Sequence, residues 1–290
     1  MINVMGSAIV KTVPEETVSF IINKNSTREY SNTRYLYVYD DIVAFSSLSL
    51  ASRMSVDELK SSLLTEGPSV VLTLGEYTSY SPGKHILWGT QIKEKTLSDT
   101  VDVRALTGPL SYANLGVKPG VFFDSRILIP WAYHVPRQKA SYAISMVPDE
   151  RDSRFMNMVD DLQKHGINIV NPRLPIQTQL DQISRSTLIL AGSLSAYILA
   201  ESIGVQVYAF HTGENYAPMS EAIEDYFAGT ERTAPEILDF SKSISVKEYP
   251  QAENVTPEKF VDMLDKYLDV SPLNLLEGTG QSIKEYFNAL

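Results

Sequence analysis

The chain has no cysteine in 290 residues, which excludes a disulfide framework, a thiol nucleophile and thiolate metal ligation. Histidine is scarce too. His85, His134, His165 and His211 show no paired spacing and no Asp-x-Asp motif occurs, so no metal site is expected. Lys and Arg number 25 against 35 Asp and Glu, giving a net charge of −10 with no basic block. That balance argues against nucleic acid or an anionic membrane as the main partner, although a local pocket can still hold an anion. No run of about 18 apolar residues is present, so no transmembrane segment is expected. The start, MINVMGSAIVKTVPEE, lacks the basic and apolar regions of a secretory signal, and a cytoplasmic location is expected. There is no internal repeat, no low-complexity tract, no Gly-x-Ser-x-Gly elbow and no G-x-G-x-x-G fingerprint, which disfavours hydrolase chemistry and the standard dinucleotide turn.

What is present is an ordinary globular composition, 43% hydrophobic and 21% charged, at a length that favours two domains. The first half reads as mixed β and α. Strands are expected at Ile2–Val10, Val18–Ile22, Tyr35–Tyr39, Val70–Thr73, His85–Trp88 and Asp102–Leu106, with helices at Val56–Leu64 and Pro109–Leu115. Tyr35, Tyr37 and Tyr39 alternate as one face of a strand. Ile129–Gln138 holds two prolines and no periodicity and reads as a linker.

The second half alternates strand and helix. Strands are expected at Ser141–Val147, Ile167–Val170, Thr187–Leu190, Val205–Phe210 and Ile244–Lys247. Helices are expected from Phe155 to Gly166, then at Ile176–Ser184, Leu194–Ile203, Ala217–Phe227, Pro257–Leu268 and Ile283–Leu290. Such alternation implies a parallel sheet covered on both faces. The most informative stretch is 187–210, a βαβ unit whose turn, Ala191-Gly192-Ser193, opens a helix. The backbone N–H groups of Gly192–Ala196 are expected to face the cleft, where a helix N-terminus favours an anion.

Several segments carry a resemblance. Leu199-Ala200-Glu201-Ser202-Ile203-Gly204 and Leu106-Thr107-Gly108-Pro109-Leu110-Ser111 are two of them. Phe123-Asp124-Ser125 with Ile127–Pro130, Met146-Val147-Pro148 and Glu224-Asp225-Tyr226-Phe227 complete the set. In order and register over about residues 85 to 230, this pattern resembles the polysaccharide pyruvyl transferase family; residues 1–70 match nothing in it. The resemblance implies two Rossmann-like α/β domains facing a cleft, a GT-B-like arrangement. It divides the chain into residues 1–130, residues 131–268 and a C-terminal helix at 269–290 packing back toward the first domain. It further implies transfer of pyruvate from phosphoenolpyruvate onto a saccharide, free or lipid-linked, as a ketal, with no other cofactor. Three positions depart from the family: its arginine before Gly-Pro-Leu is Thr107, its histidine after Val-Pro is Asp149, and its histidine in the Ser-x-His-Gly loop is Ser195.

The site is expected at the strand C-terminal ends. Asp124, Asp149 and Ser195 are the candidate catalytic residues. Gly89, Arg104, Thr107, Arg151, Ser193, Glu201 and His211 are candidates for binding substrate. Each has a plainer role available: a turn aspartate at Asp124, a helix start at Asp149–Arg154, an N-cap at Ser193 or Ser195, and a salt bridge at Glu201. Arg104 lies three residues before Thr107 and so on the opposite strand face. A glycosyltransferase using a nucleotide-sugar donor and a catalytically degenerate binding protein remain open beside the pyruvyl transferase reading.

Overall fold

The computed structural model describes residues 2–5, 70–76, 84–93, 95, 101–149, 159–172, 174–213, 216–241, 257–270 and 279–290. The segments expected at Val18–Ile22, Tyr35–Tyr39, Val56–Leu64 and Ile244–Lys247 lie outside them, as do Arg151 and the start of the helix from Phe155. The fold is mixed α/β with two parallel sheets. The first has the order β1-β2-β3-β4-β5, made of Ile2–Met5, Val70–Glu76, Lys84–Gln91, Val101–Leu106 and Val121–Phe122. The second comprises β6 (Tyr142–Val147), β7 (Asn168–Ile169), β8 (Ser186–Ala191), β9 (Gln206–His211) and β10 (Leu238–Asp239), in the order β10-β9-β8-β6-β7.

Alternation along the strands divides the first sheet into two faces. Leu87, Leu106 and Phe122 point to one side, where Leu115 of helix α1 (Pro109–Leu115) covers them. Trp88, Ala105 and Phe123 point to the other. A sequential order of parallel strands, joined by right-handed crossovers, sends its helices to one face and leaves the second to be covered by other parts of the chain. A helix from the far end of the sequence, Pro257–Asp269, does so. Its Tyr267 ring stacks on Trp88 at 4.5 Å and on Phe123 at 4.2 Å, and Trp88 Nε1 donates to the Tyr267 carbonyl at 3.1 Å. The last helix, Thr279–Asn288, packs on this one through Phe260 and Phe287 and donates from Tyr286 Oη to the Val135 carbonyl. One apolar cluster therefore runs from the first sheet into the helices of the second half.

The second sheet counts 2-1-3-4-5 in its own strands, a doubly wound order whose direction reverses between β6 and β8. Helices α2 (Ile129–Ala132), α3 (Val159–Lys164), α4 (Ile176–Ser184), α5 (Leu194–Ser202) and α6 (Tyr216–Gly229) complete the described elements before the two C-terminal helices. The linker expected over Ile129–Gln138 is corrected at its start: Ile129–Ala132 is a helical turn, because Pro130 occupies a first-turn position where no N–H is required. Among the described residues no helix is long and apolar enough to cross a membrane.

Candidate functional site at the strand ends

The run Val121–Trp131, which begins with β5, is apolar except at Asp124, Ser125 and Arg126, and its two charged side chains are buried against each other. Asp124 caps the 3₁₀ turn Ser125–Leu128 by accepting from the Arg126 backbone N–H at 3.0 Å. It also takes both ends of the Arg126 guanidinium, Nε at 2.8 Å and Nη2 at 2.6 Å, while Thr107 Oγ1 donates to it at 2.8 Å. The side chains of Arg126 and Asp124 are 6% and 0% exposed. A fork-to-fork pair of this kind satisfies the carboxylate while leaving the guanidinium one edge to offer elsewhere. That edge reaches out of the first sheet: Nη1 donates to Ser195 Oγ, in the first turn of α5, at 3.0 Å, and Nη2 lies 3.4 Å from Gln91 Oε1.

Helix α5 begins where the second sheet ends. Ser193 is its N-cap, accepting from the Ala196 N–H at 3.3 Å, and Ser193 and Ser195 are both half-buried. Asp149 follows β6 on the other side of the strand reversal and is buried. Gly192 donates its N–H to the Val147 carbonyl at 2.8 Å, and any Cβ there would lie 2.6 Å from the Asp149 nitrogen. The turn of small residues thus lets two strand ends approach at the point where open α/β sheets bind ligands.

The structure links Thr107 to Asp124, Asp124 to Arg126 and Arg126 to Ser195. Gly89 supports the group from behind: its φ of +76° and its approach to Ser125, whose hydroxyl donates to the Gly89 carbonyl at 3.0 Å, leave no room for a side chain. Arg104 stands apart, forked onto Asp102 and 41% exposed. Glu201 does not join the group either. It pairs, half-buried, with the buried Arg232, accepts from Tyr226 Oη at 2.5 Å, and helps lock α5 to α6. Burial, reinforced by the Glu201 charge, holds the Tyr197 and Tyr226 hydroxyls well above the usual tyrosine range, so both stay protonated. His211 ends β9, accepts from the Gly213 N–H at 3.1 Å and lies 3.9 Å from Asp239, on the same sheet edge.

Arg126 and Asp225 are absent from the candidate site residues singled out by sequence, whereas Gln91 belongs to the strand end Gly89–Gln91 expected at the cleft. Arg126 had a readable signal, a lone cation within an apolar stretch and two residues from an aspartate. Asp225 is visible only in three dimensions. From α6 it accepts from the Leu110 N–H at 2.7 Å and the Ser111 hydroxyl at 2.5 Å, capping α1 of the first half. Segments that carry the family resemblance therefore touch one another: Asp225 meets Gly108–Ser111, and Tyr226 meets Glu201.

Burial raises the Asp225 pKa above the ordinary carboxylate value of 3.8, the Ser111 and Leu110 hydrogen bonds oppose this, and the Asp124 charge adds to it. With the folded value above the unfolded one, the stabilisation is complete below 3.8 and is lost as pH rises through the folded pKa. Asp225→Asn removes that titration. Relative to the wild type, the variant is expected to be most destabilised near about pH 4 and progressively less so toward about pH 7, read by urea unfolding across that range. A gap independent of pH would contradict this assignment.

No protein-family model matches the chain, and no curated protein matches it in sequence.

Proposed function

We propose that the chain is a transferase of surface-polysaccharide assembly resembling the pyruvyl transferases. In this reading residues 1–130 and 131–268 are Rossmann-like domains in a GT-B-like arrangement, with 269–290 packing back on the first. They hold phosphoenolpyruvate and a saccharide acceptor, free or lipid-linked, between their strand ends. The observation that supports the reading is one buried guanidinium, Arg126, held by Asp124 and donating to Ser195, with Thr107 hydrogen-bonded to that same Asp124. Two of those three positions are where the resemblance has lost a basic group, and Arg126 supplies a cation between them.

The roles follow from what each group has left to offer. Asp124 accepts from Arg126 and Thr107 and anchors the guanidinium. The Nη1 edge rests on a neutral, half-buried hydroxyl, so a phosphate or carboxylate oxygen replaces Ser195 there without breaking the ion pair. The N–H groups at the start of α5 add donors to the same anion. In this reading Asp149, buried after β6 at the strand reversal, takes the proton from an acceptor hydroxyl. Ketal formation makes two C–O bonds at the donor's central carbon, releases inorganic phosphate, and leaves one hydroxyl proton on the new methyl group and the other on the phosphate.

One observation favours a second reading. Asp124 already neutralises Arg126, an arrangement that also suits a binding protein without catalysis. A thermal-shift screen separates the classes. Phosphoenolpyruvate at 100 times its Kd is expected to stabilise by about 2.7 kcal/mol, or about 5–10 °C for a chain of this size. Nucleotide sugars are expected to give no shift. The opposite pattern supports a glycosyltransferase, and no shift with either supports the binding protein.

A further inference from the structure

β3 carries a bulge near its end. Trp88 pairs with Ala105 and Thr90 with Leu106, so Gly89 is an extra residue, and its φ of +76° favours glycine. The extra residue reverses the alternation of faces. Leu87 and Ile92, which a regular strand would point to opposite sides, share one apolar cluster. Gln91 turns instead to the Trp88 side, where its Oε1 lies 3.4 Å from Arg126 Nη2. Asp124, the other holder of the guanidinium, directly follows Phe123. Both segments that hold Arg126 thus start from a buried aromatic residue of the first sheet.

One ring from the far end of the sequence stacks on both of those aromatics. Tyr267 lies within 6° of the Trp88 plane and within 21° of the Phe123 plane, and is itself buried. The same side chain closes on the bulge: any Cβ at Gly89 would lie 3.1 Å from Tyr267 Oη and 2.8 Å from the Ser125 nitrogen. Ser125 stands between Asp124 and Arg126 and donates its hydroxyl to the Gly89 carbonyl. Tyr267 Oη donates to the Trp88 carbonyl at 3.4 Å, long for an O–H···O bond, so the ring rather than the hydroxyl sets the spacing. Burial, and after it the Asp124 charge, raise that hydroxyl well above the usual tyrosine range and keep it protonated.

We infer that Tyr267 is a positioning residue: its ring is the spacer that fixes the Gly89 bulge against the Ser125–Leu128 turn and so holds the Arg126 guanidinium between Asp124 and Ser195. That the guanidinium held in this way binds phosphoenolpyruvate rests on the transferase reading; the spacing does not.

The test reads arginine Nε–H groups in the full chain by heteronuclear NMR. The Arg126 group donates to Asp124 at 2.8 Å and is assigned by its loss in Arg126→Met. The Arg232 group, which donates to Thr230 at 2.8 Å beside Glu201, is the internal control. Tyr267→Leu is expected to shift or abolish the Arg126 signal and to leave that of Arg232 in place, whereas Tyr267→Phe keeps both. At a temperature where the variants are folded, Tyr267→Leu is expected to weaken phosphoenolpyruvate binding at least about tenfold by calorimetry, the equivalent of one charge-assisted hydrogen bond. Tyr267→Phe is expected to retain it. If Tyr267→Leu does not fold, Phe123→Leu opens the same stack from its other member and is read in the same way. An Arg126 signal untouched by loss of the ring, Arg126 and Arg232 signals that move together, or equal movement in Tyr267→Phe and Tyr267→Leu overturns the inference. Movement of Arg126 alone, with no phosphoenolpyruvate binding in the wild type, keeps the positioning role and removes the transferase; phosphoenolpyruvate binding with an unmoved Arg126 signal does the reverse.

Discussion

Arg126→Met is expected to lower stability by about 3–5 kcal/mol, because it leaves the Asp124 carboxylate buried without its cation. The Thr107 hydroxyl and the Arg126 backbone N–H still reach Asp124 in the variant, but neither carries charge. Two further contacts vanish with the guanidinium, to Ser195 and Gln91, so the joint between the first sheet and α5 also loosens. Asp124→Asn/Arg126→Met is expected to recover most of the loss, since an amide at position 124 removes the unpaired charge and still pairs with Thr107. Urea unfolding of the two variants gives both numbers. A single-variant loss under about 1 kcal/mol would mean that water reaches the pair and that it behaves as a surface ion pair. Phosphoenolpyruvate stabilisation should vanish in both variants, because each lacks the cation whether or not the fold is restored.

The second large effect is steric. Gly108→Ala places a Cβ 1.9 Å from the Asp225 carbonyl oxygen and 2.4 Å from its carboxylate. The Gly108 φ of −169° is extended backbone open to any residue, so conformational strain plays no part. The obstacle includes backbone, which a rotamer change does not clear. Gly229 faces the same joint from α6, where a Cβ would meet the Thr107 carbonyl at 2.1 Å. Overpacking at either glycine is expected to destabilise by about 3 kcal/mol, lowering the melting temperature by about 6–12 °C. Because Thr107 precedes Gly108 and hydrogen-bonds Asp124, Gly108→Ala should also weaken phosphoenolpyruvate binding at temperatures where the variant is still folded. A variant as stable as the wild type would show that α1 and α6 do not meet as described.

Much of the fold was legible because period and punctuation agreed. The helices at Pro109–Leu115 and Ile176–Ser184 have the bounds expected from the sequence, one with Pro in its first turn and the other with apolar residues at Ile176, Leu180 and Ile183. The βαβ unit at 186–211 was equally readable, since Gly204 ends its helix in a left-handed turn. Other elements escaped for physical reasons. The helical turn at Ile129–Ala132 is too short to show a period, and β10 at Leu238–Asp239 is held by pairing with Phe210 and His211 rather than by its own pattern. Among the candidate residues, Asp124 and Ser195 were singled out by position, and both contact Arg126. Arg126 was not, because it sits at no position of the motif and only the fold carries its guanidinium from Asp124 to Ser195. Glu201 illustrates the reverse. A helix face places it near Tyr197, but only the return of the chain as Tyr226 and Arg232 decides that its partners are internal.

The most direct test of the central claim is a crystal structure of the protein with phosphoenolpyruvate. The account predicts a phosphate or carboxylate oxygen on Arg126 Nη1 in place of Ser195 Oγ, with the first-turn N–H groups of α5 donating to the same anion and the Asp124–Arg126 pair intact. Phosphoenolpyruvate bound elsewhere, or Arg126 still closed onto Ser195 in the saturated crystal, would contradict it.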